Sequence, residues 1–231
     1  MRRLLIVALV LVTAVPALQA RRVKEKAGDL KKGVYVDKKF GFDLTLNDAW
    51  KVKVEDNDNN YRLILTKVNY DIPPDYMDTP DYTKIPRLVV YADTTSLTPE
   101  VFIDSLVSES FSSKQKNEII REFEILSRHI GGSGFTQEDL VPRNKSLVEL
   151  DGHRGELWTG QIKYKNDVAV SASSLGGKRV NGAYGGAIVA VKDGNNIILF
   201  HLMTEWNYFE HELKDAMTVI KSLKWQSDKG K

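Results

Sequence analysis

The chain has no cysteine among its 231 residues. That absence removes disulfides, thiol nucleophiles, thiolate-bound zinc and a lipid-modified N-terminal cysteine. Charge of one sign is not in surplus either: 33 basic and 31 acidic residues give a formal net charge of +2. A nucleic-acid binder needs a strong basic excess to displace counterions from phosphates, so no nucleic-acid partner is expected. Histidine is scarce, with only His129, His153, His201 and His211. No HExxH occurs and no pair has close metal-ligand spacing, so no metal and no cofactor is expected. His201 could meet Glu205, and His211 stands beside Glu210 and Glu212. Those carboxylates flank a helix start and read as ordinary surface charge.

Long apolar runs are absent with one exception, Leu4 to Val15 (LLIVALVLVTAV), broken only by Thr13. Arg2 and Arg3 precede it. Pro16 ends any helix there, because proline lacks the donor N–H and clashes with the preceding turn. At about 12 residues the run falls short of the roughly 20 that span a bilayer. It matches a secretory signal peptide over residues 1–20. Cleavage fits after Ala17, with Val15 at minus three, or after Ala20, with Leu18 at minus three. The alternative is a retained N-terminal anchor, its end held at the membrane face by Arg21, Arg22, Lys24 and Lys26. The expected protein is exported, periplasmic or secreted, with no membrane span after cleavage. Loss of Arg2 and Arg3 leaves 31 basic against 31 acidic residues. The remaining ~210 residues can bury roughly 70% of their unfolded surface, so a core suffices without disulfides.

Residues 21–32 (RRVKEKAGDLKK) are charged and lack periodicity, which predicts a flexible lead. Residues 33–226 then read as one globular domain, and 227–231 as a frayed tail. Period-2 alternation predicts strands over Val34–Asp37, Phe40–Leu46, Trp50–Glu55, Tyr61–Val68 and Arg87–Ala92. Thr98 as N-cap, Pro99 at the first helical position and Glu100 in the first turn predict a helix. Its apolar stripe is Phe102, Ile103, Leu106, Val107 and Phe111. Residues 117–130 alternate weakly but have Ile119, Phe123 and Leu126 at helical spacing, which favours a helix. Gly131 to Lys145 reads as a loop. Asp151-Gly152 joins Leu147–Leu150 to Gly155–Tyr164 as a hairpin, because Asp-Gly accepts the positive φ of a tight turn. Asp167–Ser173 adds a strand. Asp193-Gly194 joins Ala187–Lys192 to Asn196–Met203. Asn207 and Glu210 fit a capping box for a last helix buried through Phe209, Leu213, Ala216, Ile220 and Leu223. Trp225 closes the core. Hairpins dominate and no βαβ rhythm appears, so the fold class is α+β, a mostly antiparallel sheet packed against helices.

Four features together resemble the PsbP-like fold family. They are Tyr35-x-Asp37-x-x-Phe40-Gly41-Phe42-x-Leu44 ending at Trp50, the passage Thr98 to Phe111, the turn Asp151-Gly152-His153-Arg154-Gly155, and the helix ending Ser222-Leu223-Lys224-Trp225. The resemblance implies an α/β/α-like sandwich and a non-enzymatic binding or assembly role. It carries over no site residue. Segments 69–86 and 128–146 are longer than a minimal member needs.

Three segments are candidate sites. Tyr70 to Tyr82 (YDIPPDYMDTPDY) repeats Pro-Asp-Tyr at 74–76 and 80–82. Prolines reduce the entropy lost on ordering and tyrosines give amphipathic contact area, so Asp75, Tyr76, Asp81 and Tyr82 suit a protein partner. The same aspartates, with Asp71 and Asp78, could gather round calcium, but the DxDxDG order is absent. Ser173 to Gly186 (SSLGGKRVNGAYGG) reads as a long hairpin loop. Its backbone N–H groups with Lys178 and Arg179 could also cradle an anion, yet it lacks the order of a P-loop. Gly131-Gly132-Ser133-Gly134 fails the nucleophile-elbow pattern, because Phe135 stands where glycine is needed. The expectation is an exported, non-catalytic domain that binds an extracytoplasmic protein or assists a cell-envelope assembly. The alternatives are a small-ligand or lipid carrier, and an enzyme whose carboxylates and histidines meet only in the fold.

Overall fold

The computed structural model describes residues 24–67, 86–107, 110–112, 114–115, 119, 140–163, 183–205 and 208–226. In chain order come β1 (Asp29–Lys31), β2 (Val34–Asp37), β3 (Phe42–Thr45), β4 (Trp50–Val54), β5 (Tyr61–Lys67) and β6 (Arg87–Thr94). Then follow α1 (Pro99–Val107), β7 (Leu140–Leu150), β8 (His153–Lys163), β9 (Ala183–Asp193), β10 (Asn196–Glu205), α2 (Phe209–Ile220) and β11 (Lys224–Trp225). The strands form two antiparallel sheets, one of seven in the order β4-β5-β6-β10-β9-β8-β7 and one of four in the order β1-β2-β3-β11. The fold is α+β, as the hairpin-rich pattern predicts.

The large sheet is the middle layer. Along β10, Ile198, Phe200 and Leu202 join one core, while Ile197 and Leu199 join another. That double burial explains why β10 reads as a continuous apolar run rather than an alternating one. The first core packs the sheet against α2 (Phe209, Ala216, Val219, Ile220) and against the small sheet (Tyr35, Phe42, Leu44, Trp225). The second core packs it against Phe102, Ile103 and Leu106 of α1. Each fully buried Leu, Ile or Phe stabilises by roughly 1.5–3 kcal/mol. Helix α1 starts as expected: Thr98 Oγ1 accepts the Val101 N–H at 3.3 Å. The Lys32-Gly33 and Asp151-Gly152 turns have positive φ at both residues, the type I′ geometry that matches strand twist.

Several expectations differ from the structure. The described part of the charged lead is not flexible chain. Asp29–Lys31 pairs with Val34–Val36, Lys26 bridges to Asp56, and Ala27 is buried. Its order comes from distant partners, including Lys24 and Lys26 against Asp56, which local periodicity does not show. The loop expected up to Lys145 gives way to β7 from Leu140. This is an edge strand, where polar residues and a proline are tolerated, and its register shifts between Pro142 and Asn144. Ala183-Tyr184-Gly185-Gly186 belongs to β9 rather than to the glycine-rich loop. The N-cap of α2 is Tyr208, with no side-chain capping bond, in place of Asn207. Asn207, the helix expected over 117–130 apart from buried Ile119, the strand at 167–173, the GGSG segment, the signal segment 1–20 and the tail 227–231 lie outside the described residues.

The residues that carry the family resemblance hold the layers together. Asp37 and Arg62 are both fully buried and paired at 2.6 Å. Asp37 also accepts the Tyr35 hydroxyl at 2.7 Å and the backbone N–H of Lys39 and Phe40 at 3.0 Å each. Arg62 donates onward to the carbonyls of Asn59 (2.8 Å) and Ala27 (2.7 Å). One ion pair thus ties β2, β5 and the lead. Asp151, in the β7–β8 turn, accepts the Lys224 ammonium at 2.7 Å and the Trp225 N–H at 2.8 Å. Ser222 Oγ accepts the Thr45 N–H at 2.9 Å. The Asp37–Arg62 and Asp151 contacts are staples between the two sheets, and Ser222 ties the end of α2 to β3.

Candidate functional site

The two rims of the large sheet are unlike. At one, β7 turns into β8 at Asp151-Gly152, and β9 turns into β10 between Asp193 and Asn196. At the other, Trp50 pairs with Lys67, Thr66 with Arg87, Arg87 with Met203, Tyr184 with Glu205, Ala183 with Lys163 and Leu140 with Ile162. Segments 68–86 and 164–182 therefore both leave from and return to this second rim. The step from β10 into α2 is made there too. Asp75, Tyr76, Asp81 and Tyr82 belong to the first segment, Lys178 and Arg179 to the second, and all six lie outside the described residues. Topology alone roots both candidate loops on one rim.

The described part of that rim is built around Lys67. Its inward position follows Leu63 and Leu65 on one face of β5, so its ammonium meets α2 rather than water. Lys67 Nζ lies 3.2 Å from Glu212 Oε2 and hydrogen-bonds the Asp215 carboxylate. It also stands 4.9 Å from the centre of the Trp50 ring, a favourable cation–π distance. His211 Nε2 is 3.9 Å from Asp215 and largely exposed. Burial pulls the Lys67 pKa down, but the Asp215 hydrogen bond and the Glu212 charge outweigh it and hold it above the ordinary lysine value. The Lys67 hydrogen bond holds Asp215 below the ordinary carboxylate range. Beside them Phe209, the first residue of α2, sits on Gly185 of β9, where a Cβ would approach the ring to 2.3 Å. That close approach explains a glycine inside a strand.

These shifts drive each group away from neutral pH. A general acid or base works best with a pKa near the operating pH, so Lys67 and Asp215 are poised against proton transfer. The cluster fixes the root of segment 68–86 onto α2. Sequence reasoning missed it, although Glu212 on the apolar stripe of α2 and Lys67 on the inward face of β5 were visible signals.

The three described histidines sit on different elements, His153 on β8, His201 on β10 and His211 on α2. His201 is buried within β10 between Val89 and Ile188. His153 lies at the opposite rim, 3.3 Å from Asp193. The side chain of Glu205 and all of His129 lie outside the described residues. Among the described residues no group of three or more His, Asp or Glu could hold a metal ion, and no helix is long and apolar enough to cross a membrane.

No protein-family model matches the chain, and no curated protein matches it. Solved structures are similar to it. One is the cyanobacterial PsbP of Synechocystis, 11% identical over 83% of this chain and 91% of that one, with a TM-score of 0.46. Another is a Bacteroides thetaiotaomicron protein, 11% identical over 87% of this chain and 51% of that one, TM-score 0.41. A third is LpqN of Mycobacterium tuberculosis, involved in cell envelope biogenesis, 12% identical over 78% of this chain and 79% of that one, TM-score 0.38. A PsbP thus stands among the structures similar to this α+β fold. The likeness is one of fold, and the envelope role of LpqN is not carried over to this chain.

Proposed function

We propose that this chain is an exported, non-catalytic domain that binds another extracytoplasmic protein or assists a cell-envelope assembly. The observation that supports this reading is the rooting of segments 68–86 and 164–182 on one rim, beside a Lys67 whose charge is saturated by Glu212 and Asp215. A fixed scaffold with two long connecting segments rooted at one rim suits recognition, since binding residues concentrate on connections held by a rigid frame. Asp75, Tyr76, Asp81 and Tyr82 supply the aromatic and acceptor contacts to the partner. Lys178 and Arg179 supply contacts to an anionic group.

The test is expression of the full-length chain with a C-terminal tag, followed by cross-linking and capture from the extracytoplasmic fraction. Partners present with the parent chain and lost with Tyr76→Ala/Tyr82→Ala support the reading. Partners that survive this change overturn the site. A chain retained in the cytoplasm overturns the compartment.

A further inference from the structure

Among the described residues no strand pairs with the outer edge of β7. Asn144 to Leu147 and Glu149 are exposed, and Leu147 keeps 56% of its surface in water. The Asp151-Gly152 turn decides which backbone groups face outward. A two-residue type I′ hairpin is closed by a hydrogen-bonded pair, here Leu150 with His153, and bonded pairs then alternate along the ladder. Val148 and Ser146 therefore bond inward to β8. Lys145, Leu147 and Glu149 turn their N–H and C=O groups outward, and their side chains share one face.

We propose that two copies of this chain pair edge to edge through β7, antiparallel about a two-fold axis at Leu147. In that register Leu147 faces Leu147, and Lys145 of each copy faces Glu149 of the other. Each of these pairs is a hydrogen-bonded pair, because only these residues have outward backbone groups. The run Lys145-Ser146-Leu147-Val148-Glu149 is thus self-complementary in charge, in apolar contact and in bonding parity. In the single copy Lys145 lies 3.2 Å from Asp104 and 3.8 Å from the centre of the Trp158 ring, with half its side chain exposed, so pairing means sharing or leaving Asp104 to meet the partner's Glu149.

Among the described strands the other end strands lack this pattern, β11 because it is only two residues long. On β4 a two-fold at Val52 sets exposed Lys51 against Lys53, which are like charges. On β1 the Lys31–Val34 pair closes the turn, so of its three residues Leu30 alone turns its backbone outward. Pro142 has no N–H, and the register shift beside it ends regular pairing, which confines the contact to residues 144–150. The contact is isologous and closed, so it makes dimers rather than filaments.

The absence of cysteine makes the test clean. Leu147→Cys introduces a single thiol, and its two copies would stand about 5.5 Å apart between Cα atoms, within disulfide reach. Ser146→Cys, one residue away and equally exposed, would stand about 7–8 Å from its copy, beyond reach. Under mild oxidation of the full-length chain, the expected result is a disulfide dimer with the first and none with the second. Equal cross-linking of both, or none at residue 147, overturns the proposal. Charge exchange gives an independent reading by sedimentation. Lys145→Glu or Glu149→Lys alone weakens association about tenfold or more, and the double exchange restores it. A double exchange no better than the single changes overturns the register.

Discussion

Replacing Asp37 by Asn changes one atom type and removes one charge at the centre of the Asp37–Arg62 staple. Both residues are fully buried, so neither can recover its interactions from water. Asp37 accepts from Tyr35 and Arg62 on Oδ2 and from the N–H groups of Lys39 and Phe40 on Oδ1. An amide keeps one acceptor oxygen and presents donors in place of the other. Either the two backbone N–H groups or the pair from Tyr35 and Arg62 must then face a donor. Arg62 also keeps a buried charge with no counter-ion, although the Ala27 and Asn59 carbonyls still accept from it. Breaking one side of a buried pair costs about 3–5 kcal/mol, out of a total of roughly 5–15 kcal/mol. The assay is equilibrium urea unfolding followed by tryptophan fluorescence. A domain of this size should also lose roughly 6–20 °C in Tm. Arg62→Met separates the pair from the packing: its cost and that of Asp37→Asn should be non-additive, the double variant being more stable than the sum predicts. A loss below ~1 kcal/mol for Asp37→Asn, or strict additivity, would refute the claim that this pair joins the two sheets.

Gly185→Ala drives a methyl group into the Phe209 ring and Cβ. Phe209 opens α2 and cannot swing clear without moving the helix, so we expect a loss of about 1–3 kcal/mol in thermal unfolding; a neutral result would show that α2 shifts freely. Glu156→Gln should act in the other direction. Burial, then the charges of Glu100 and Asp104, raise the Glu156 pKa in the folded protein. A carboxyl with a raised folded pKa costs stability where it is ionised, so the cost is present at neutral pH and vanishes as pH falls below its unfolded value of about 4.3. The variant should be more stable than the parent at pH 7 and indistinguishable from it near pH 3.5; a destabilised variant at pH 7 would sink the argument.

Local pattern made much of this fold legible. Strands β2 to β6, the Asp151-Gly152 hairpin and the Thr98 cap of α1 are each specified by residues within a few positions of one another. The failures share one cause, which is that distant partners decided the outcome. Strand β1 is polar and exposed, and exists because β2 offers its edge and Arg62 binds the Ala27 carbonyl. The start of β7 is hidden because an edge strand with one open side has no need to alternate. Asp37, Arg62 and Glu212 are buried against the usual preference of charges for water, and only the tertiary pairing in the structure explains them.

The same distinction separates fold from function. Tyr35, Asp37, Phe40, Asp151, Ser222 and Trp225 carry the resemblance to the PsbP-like family, and every one of them is spent on the core or on bonds within and between the sheets. A chain sharing these residues would keep the architecture whatever it bound, so they carry no information about a partner. The Lys67–Glu212–Asp215 cluster is likewise structural: both carboxylates face the one ammonium, and the pKa shifts of Lys67 and Asp215 oppose proton transfer. What remains for recognition is what the staples leave unused. One part is the pair of segments proposed as the contact surface, rooted at the rim beside Lys67, whose Tyr76, Tyr82, Lys178 and Arg179 lie outside the described residues. The other is the outer edge of β7, where Leu147 is exposed and no described strand pairs. The two lie on different parts of the large sheet. Pairing through β7 would leave the rim beside Lys67 in each copy untouched and place two such rims in one two-fold particle.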